Sequence, residues 1–247
     1  MKGIEALERV IYALESYDVT TIRASIGMYL MSEHIDGHTD DKVIYSGEGA
    51  DEVCSGYLYF HNAPDEMASS LDSQRLVENL HFFDVKRVDR TVSAHGLEVR
   101  VPFLDKQFVA DFFRIDPKLR APSYRGIEKY LVRKAFDRDE LLPSEVLWRT
   151  KEALSDGVSS LEEPWHVILG RHVDAMVSDE EFDRARGKYA EFGNGNVPIH
   201  KEAYFYRKLY EKHFGETDLV PYYWMPQWSD ATDPSARTIG KYKQLVC

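Results

Sequence analysis

The chain has 247 residues, is 43 % hydrophobic and 13 % aromatic, and carries 42 acidic against 31 basic side chains, a net charge of −11. That length and apolar content support a sizeable core and exclude intrinsic disorder, and the acidic balance, with no polybasic arm, excludes binding to a nucleic-acid backbone. Two cysteines, Cys54 and Cys247, make neither a disulfide framework nor a Cys-based metal site, and the charged stretch MKGIEALERVIYALESY is neither signal peptide nor membrane span. A soluble protein of the reducing cytoplasm is expected.

Helical periodicity dominates. Ile4, Leu7, Val10, Ile11 and Leu14 recur at three- and four-residue steps and predict an amphipathic helix. His34 and His38 have metal-ligand spacing, but Asp36-Gly37 between them predicts a break in the helix that would align them, and no third ligand is evident. Lys42 to Tyr45 is the one convincing strand. Ile127, Tyr130, Leu131 and Ala135 mark a second apolar stripe, Ser178 with Glu181 forms a capping-box pattern opening a short helix, and His200 to Phe214 reads as a long helix. Gly193 to Pro198 is a turn-rich break. Asp218 to Arg237 is punctuated by Pro221, Pro226 and Pro234, with Tyr222, Tyr223, Trp224 and Trp228 expected to pack onto the body. One domain spanning 1–247 is expected.

The stretch Val43 to Phe60, VIYSGEGADEVCSGYLYF, has the grammar of a strand feeding a ligand loop. Gly47 and Gly49 let backbone approach a ligand, and the amides opening the following segment offer partial positive charge to an anion. Glu48, Asp51 and Glu52 place carboxylates beside that site, where a cation or a proton acceptor is wanted. The combination points to a nucleotide with Mg²⁺, although Asp51 and Glu52 at a helix start also complement its dipole.

This string resembles the loop of the synthetase domain of glutamine-dependent asparagine synthetases. The likeness continues through DVTTIRAS (Asp18 to Ser25), GLEVRVPFLDKQF (Gly96 to Phe108) and WRTKEALSDGV (Trp148 to Val158), and it covers nearly the whole chain. The resemblance implies an α/β fold, a parallel sheet of the ATP-pyrophosphatase type flanked by helices, of which this predominantly helical chain keeps only a remnant. It also implies ATP and Mg²⁺ as cofactors and amidation of aspartate through a β-aspartyl-AMP intermediate, with ammonia from glutamine.

Residue by residue, the resemblance puts Ser46 and Gly47 on the nucleotide, Glu48 at formation and use of the acyl-adenylate, and Asp51 on Mg²⁺. It places Lys151 near the nucleotide phosphates. Thr20, Thr21 and Arg23 match phosphate-contacting positions, the alternative being that the threonines cap a helix. Arg100, inside the apolar run VRVPFL, needs a partner, either Glu98 or Asp105 or a ligand, and in the ligand reading it joins Glu48 and Lys151 as a catalytic residue. Asp84 and Arg87 match residues near the aspartate pocket and, three apart, also suit a mutual bridge. Tyr57, on the helix after the loop, matches an active-site tyrosine and equally suits the core.

Members of this family begin with a glutaminase domain and carry a Ser-Gly-Gly loop that grips pyrophosphate. The chain has neither, and resembles about the C-terminal half of the family's polypeptide. Three classes of function follow: an asparagine-forming ligase, a related amidoligase such as a β-lactam synthetase, or a truncated fragment or split-enzyme subunit that needs an N-terminal glutaminase half or partner chain. Glu48 separates the first two, since ring-forming enzymes resemble this loop with a tyrosine there.

Overall fold

The computed structural model describes residues 2–138, 141–191, 196–217 and 219–240. In chain order the elements begin with α1 (Lys2–Leu14), α2 (Val19–His38), β1 (Val43–Tyr45), α3 (Ala50–Val53), α4 (Glu66–Asn79), α5 (Asp84–Ser93) and β2 (Glu98–Arg100). There follow α6 (Lys106–Arg114), α7 (Pro117–Arg120), α8 (Tyr130–Phe136), α9 (Ser144–Leu147), α10 (Leu154–Gly157), α11 (Trp165–Asp174), α12 (Asp179–Glu191) and α13 (Lys201–Phe214). These elements form two compact units, each assembled from three separated stretches.

The first unit comprises Met1–Ile44, Phe82–Val99 and Ala153–Met225. Its core lies where the stripe of α1 meets α2, α11 and α13: Leu7, Val10, Ile11 and Leu14 are buried against Ile22, Leu169, Ala203, Tyr206 and Tyr210. The stripe read from sequence is the face that goes inside, as a helix with apolar residues on one side must bury it. Asp18 caps α2 by accepting from the Thr21 N–H at 2.8 Å and also accepts from the Trp224 N–H at 3.0 Å. Contrary to expectation, α2 continues through Asp36-Gly37 and stacks the His34 and His38 rings 4.0 Å apart. A single glycine near a helix end costs about 1 kcal/mol, which a twenty-residue helix packed on its neighbours absorbs. Among the described residues no group of three or more His, Cys, Asp or Glu is placed to hold a metal ion.

Two further helix expectations are adjusted. Ser178 Oγ accepts from the Glu181 N–H at 3.2 Å as the capping box predicts, but α12 runs thirteen residues, and the Glu181 carboxylate pairs with Tyr204 and Lys208 instead of turning back to the cap. At α13 His200 is itself the cap, its Nδ1 accepting from the Ala203 N–H. Within the Gly193–Pro198 break, residues 193–195 lie outside the described residues, as does Cys247.

The second unit comprises Tyr45–His81, Arg100–Glu152 and Pro226–Cys247. Val53, Cys54 and Phe112 form its core, with Val77, Leu104, Phe108, Leu131 and Val132 packed around them. Trp228 closes on Tyr59 and Phe60, so that aromatic is packed as expected. The chain crosses from one unit to the other within β1 and again within β2. These strands pair in parallel, the Glu98 N–H donating to the Lys42 carbonyl and the Ser46 N–H to that of Arg100, both at 2.8 Å. The sequence reading missed β2, a three-residue strand whose pairing partner lies more than fifty residues away. Tyr45 is 76 % exposed, unusual in a parallel pair, where strands are ordinarily covered on both faces.

Fold class therefore stands as read in its coarser sense: helical, with a small parallel sheet. Among the described residues no helix is long and apolar enough to cross a membrane.

Candidate active site

The loop after β1 is shaped by its serine and one of its glycines. Ser46 Oγ accepts from the Glu48 N–H at 3.3 Å, and the Ala50 N–H donates to the Gly47 carbonyl at 3.2 Å, closing a tight turn. Gly49 caps α3 with φ of 86°, and a Cβ there would overlap Cγ and Cδ2 of Leu104, so this position has both a conformational and a steric reason to be glycine.

The expected helix after the loop is a single turn, which carries little dipole, so the dipole reading of Asp51 and Glu52 loses its basis. Glu52 is buried and accepts from the Tyr57 hydroxyl. Tyr57 lies beyond that turn, as the cap of the 3₁₀ segment Leu58–Asn62, not on the same helix. Asp51 is the meeting point of two cations. Its Oδ1 lies 2.8 Å from Lys129 Nζ and its Oδ2 3.2 Å from Lys151 Nζ. Burial alone would push the Asp51 carboxyl up, but the two ammonium groups outweigh it and hold the carboxyl well below its ordinary 3.8.

One carboxylate shared by two lysines leaves net positive charge, the arrangement that polyphosphate oxygens need. The lysine side chains are 21 % and 13 % exposed, reachable yet partly desolvated, so their attraction for an anion exceeds that of solvated surface lysines. Lys129 was not singled out from sequence. Its signal was a charge between the apolar residues Ile127 and Tyr130, and the predicted helical stripe hid the fact that α8 starts only at Tyr130, because Lys129 is left-handed with φ of 55°.

Ser46, Gly47, Glu48 and Asp51 are contiguous in this loop. Arg100 joins them through the Ser46 backbone bond and Lys151 through its ion pair, so residues from three stretches of sequence converge in the second unit. Arg100 corrects an expectation: its side chain is exposed on β2 because the run VRVPFL is not wholly buried, so no buried charge demands a partner.

The remaining predicted residues belong to the first unit. Arg23 makes a bidentate pair with Glu202, Nε to Oε1 at 2.8 Å and Nη2 to Oε2 at 2.7 Å, with both side chains 5 % exposed. Its fork is engaged inside the core rather than offered to phosphate. Thr21 Oγ1 donates to Asp18, and Thr20 Oγ1 donates to the Trp224 carbonyl at 3.4 Å, so the helix cap is Asp18 and not either threonine. Asp84 and Arg87 bridge one another at 2.7 Å.

As a metal site, Asp51 brings one carboxylate already neutralised by two cations, which does not make a resident all-protein cage. It fits Mg²⁺ of the kind that arrives on nucleotide phosphates and takes one or two protein carboxylates.

The family model for asparagine synthase matches residues 2–75 and 68–232, most of the chain. The chain belongs to this family. It is 50 % identical over 246 residues to the glutamine-hydrolysing asparagine synthetase of Gallus gallus, 50 % to that of Mus musculus and 48 % to that of Homo sapiens, in each case over 99 % of this chain and 43 % of the relative. The chain thus spans less than half the length of these family members.

Proposed function

We propose that this chain carries the nucleotide-handling part of a ligase that amidates aspartate to asparagine at the expense of ATP. The observation that carries the reading is the convergence of Lys129 and Lys151 on Asp51 beside the Ser46–Gly49 loop, in a chain half identical over its whole length to enzymes named for asparagine synthesis. Glu48 in the loop favours the open amidation over ring closure.

In this reading the backbone of Ser46 and Gly47 seats the nucleotide, and Lys129 and Lys151 hold its phosphates. A β-carboxylate oxygen of aspartate attacks the α-phosphorus, the bond to the bridging oxygen breaks, and pyrophosphate leaves with its charge followed by Lys151. Such stabilisation grows as charge separates, so it lowers the barrier more than it tightens ground-state binding. Ammonia then attacks the acyl carbon, AMP departs with the electron pair of the C–O bond, and Glu48 accepts the proton released from nitrogen. Bound with ATP, Mg²⁺ would neutralise phosphate charge, and Asp51 is the residue that would hold it. Tyr57 is assigned to the aspartate side of the reaction, whereas Thr20, Thr21 and Arg23 serve the first unit's packing and Asp84 and Arg87 bridge one another there.

The exposed two-stranded sheet and the 43 % span of the relatives fit a chain that works with further polypeptide supplying glutamine-derived ammonia. The test is to assay the chain with ATP, Mg²⁺, aspartate and ammonia, alone and with an added N-terminal half from a relative. Asparagine and pyrophosphate formed in equal amounts in the complemented mixture, and abolished by Glu48→Gln with ATP binding retained, support the reading. Unchanged turnover in Glu48→Gln refutes the role of that residue.

A further inference from the structure

Arg133 is the point at which the two lysine-bearing segments of the second unit are tied together. It sits on α8, where its backbone N–H donates to the Lys129 carbonyl at 3.0 Å and its Nε to the Glu128 carbonyl at 2.9 Å. Its Nη1 reaches in the other direction, donating to the Leu147 carbonyl at 2.5 Å and the Arg149 carbonyl at 3.1 Å. One guanidinium therefore serves three main-chain carbonyls, two of them in the stretch leading into Lys151.

Each anchor has a local reason. Leu147 ends α9, and its carbonyl lacks a partner within that helix, so a cationic donor there satisfies an orphan acceptor. Lys129 is held left-handed, a conformation that a side-chain-bearing residue keeps only where its surroundings impose it. Next to it, Glu128 is buried and pairs with His61 Nε2 at 2.5 Å, which fixes the far side of the same turn. A lysine in place of Arg133 is a point donor and cannot span the same three carbonyls.

We infer that Arg133 is a positioning residue whose forked donors hold Lys129 and Lys151 converged on Asp51, and so set the geometry in which the two ammonium groups meet a phosphate. The inference rests on the reading of that cluster as a phosphate site. Arg133 itself acts only through the backbone of both segments.

The test compares the purified chain with its Arg133→Lys and Arg133→Gln variants in two measurements. Brief acetylation with acetic anhydride, read residue by residue by mass spectrometry, reports how tightly each lysine is held. Calorimetric titration with inorganic pyrophosphate reports the site. Acetylation of Lys129 and Lys151 should rise on the order of tenfold in both variants, the effect of losing a charge-assisted hydrogen bond, while Lys118 and Lys201 stay unchanged and pyrophosphate affinity falls by a similar factor. Should the glutamine variant not fold, the lysine variant decides alone, because it keeps the charge and loses only the fork. Lys129 and Lys151 reacting at the original rate in Arg133→Lys, or a rise shared equally by Lys118 and Lys201, overturns the inference. Absence of pyrophosphate binding to the unsubstituted chain instead removes the phosphate reading, and the acetylation pattern still decides the clamp.

Discussion

Gly47 and Gly49 are alike in the sequence, two residues apart in one loop, and the structure separates them. Replacing Gly49 with alanine asks a Cβ to occupy space held by Leu104 and a side-chain-bearing residue to adopt φ of 86°. Holding such a backbone costs roughly 1–3 kcal/mol. Forcing Leu104 aside adds about 1–3 kcal/mol, since that side chain packs on the Val53, Cys54 and Phe112 core and has limited room to rotate. A total of about 2–6 kcal/mol corresponds to a fall in melting temperature of roughly 4–24 °C for a chain of this size. Gly47 has no heavy atom within 4 Å of its Cβ position and no positive φ, so Gly47→Ala should change stability by about 0.5 kcal/mol or less. The assay is a pair of thermal melts followed by nucleotide titration of the folded variants. Gly49→Ala should melt early, and Gly47→Ala should melt normally but bind ATP more weakly, because its methyl group would take up open space beside the backbone proposed to seat the nucleotide. A Gly49→Ala protein melting within about 1 °C of the original would refute the steric reasoning.

Asp51→Asn removes the counter-charge of two partly buried lysines. Because the folded carboxyl titrates below its ordinary 3.8, its contribution is complete above that value and is lost as pH falls from there toward the folded value. The stability gap between Asp51→Asn and the original in urea melts should therefore be flat near neutrality and close on acidification below 3.8; a gap independent of pH throughout contradicts the pairing. Arg23→Ala should cost about 3–5 kcal/mol by stranding the buried Glu202 carboxylate, and Arg23→Met with Glu202→Leu should cost less, both read by melting. If Arg23 instead gripped phosphate, folded Arg23→Ala at low temperature would lose pyrophosphate affinity. Cys54 is fully buried and its thiol is pushed up to about 12 by burial, so it should resist iodoacetamide near pH 8 until the second unit opens; rapid alkylation in the native chain argues against that packing.

Local sequence carried much of the first unit. The stripe of α1 and the extent of α13 follow from apolar spacing, which is a property of the helix itself and needs no partner to be legible. The Ser46–Gly49 turn was equally legible, since a strand that stops at Ser-Gly-Glu-Gly has few ways to continue. Where the reading went astray, the competing force was tertiary. The break expected at Asp36-Gly37 did not form because those exposed residues only extend the last turn of a helix whose packed part, up to Ser32, already sets its direction, and β2 went unseen because its evidence was the distant Lys42–Ser46 stretch with which it pairs. Arg23 and Arg100 show the same division most clearly. Their sequence neighbours suggest a buried Arg100 and an available Arg23, and the fold did the reverse: a glutamate 179 residues away took Arg23 into the core, while β2 left Arg100 exposed. The sequence by itself determined which side chains could do phosphate chemistry. That Lys129 joins Lys151 at one carboxylate was decided only when α8 and the segment after α9 came together, because charge convergence is a property of distance in space and not of spacing along the chain.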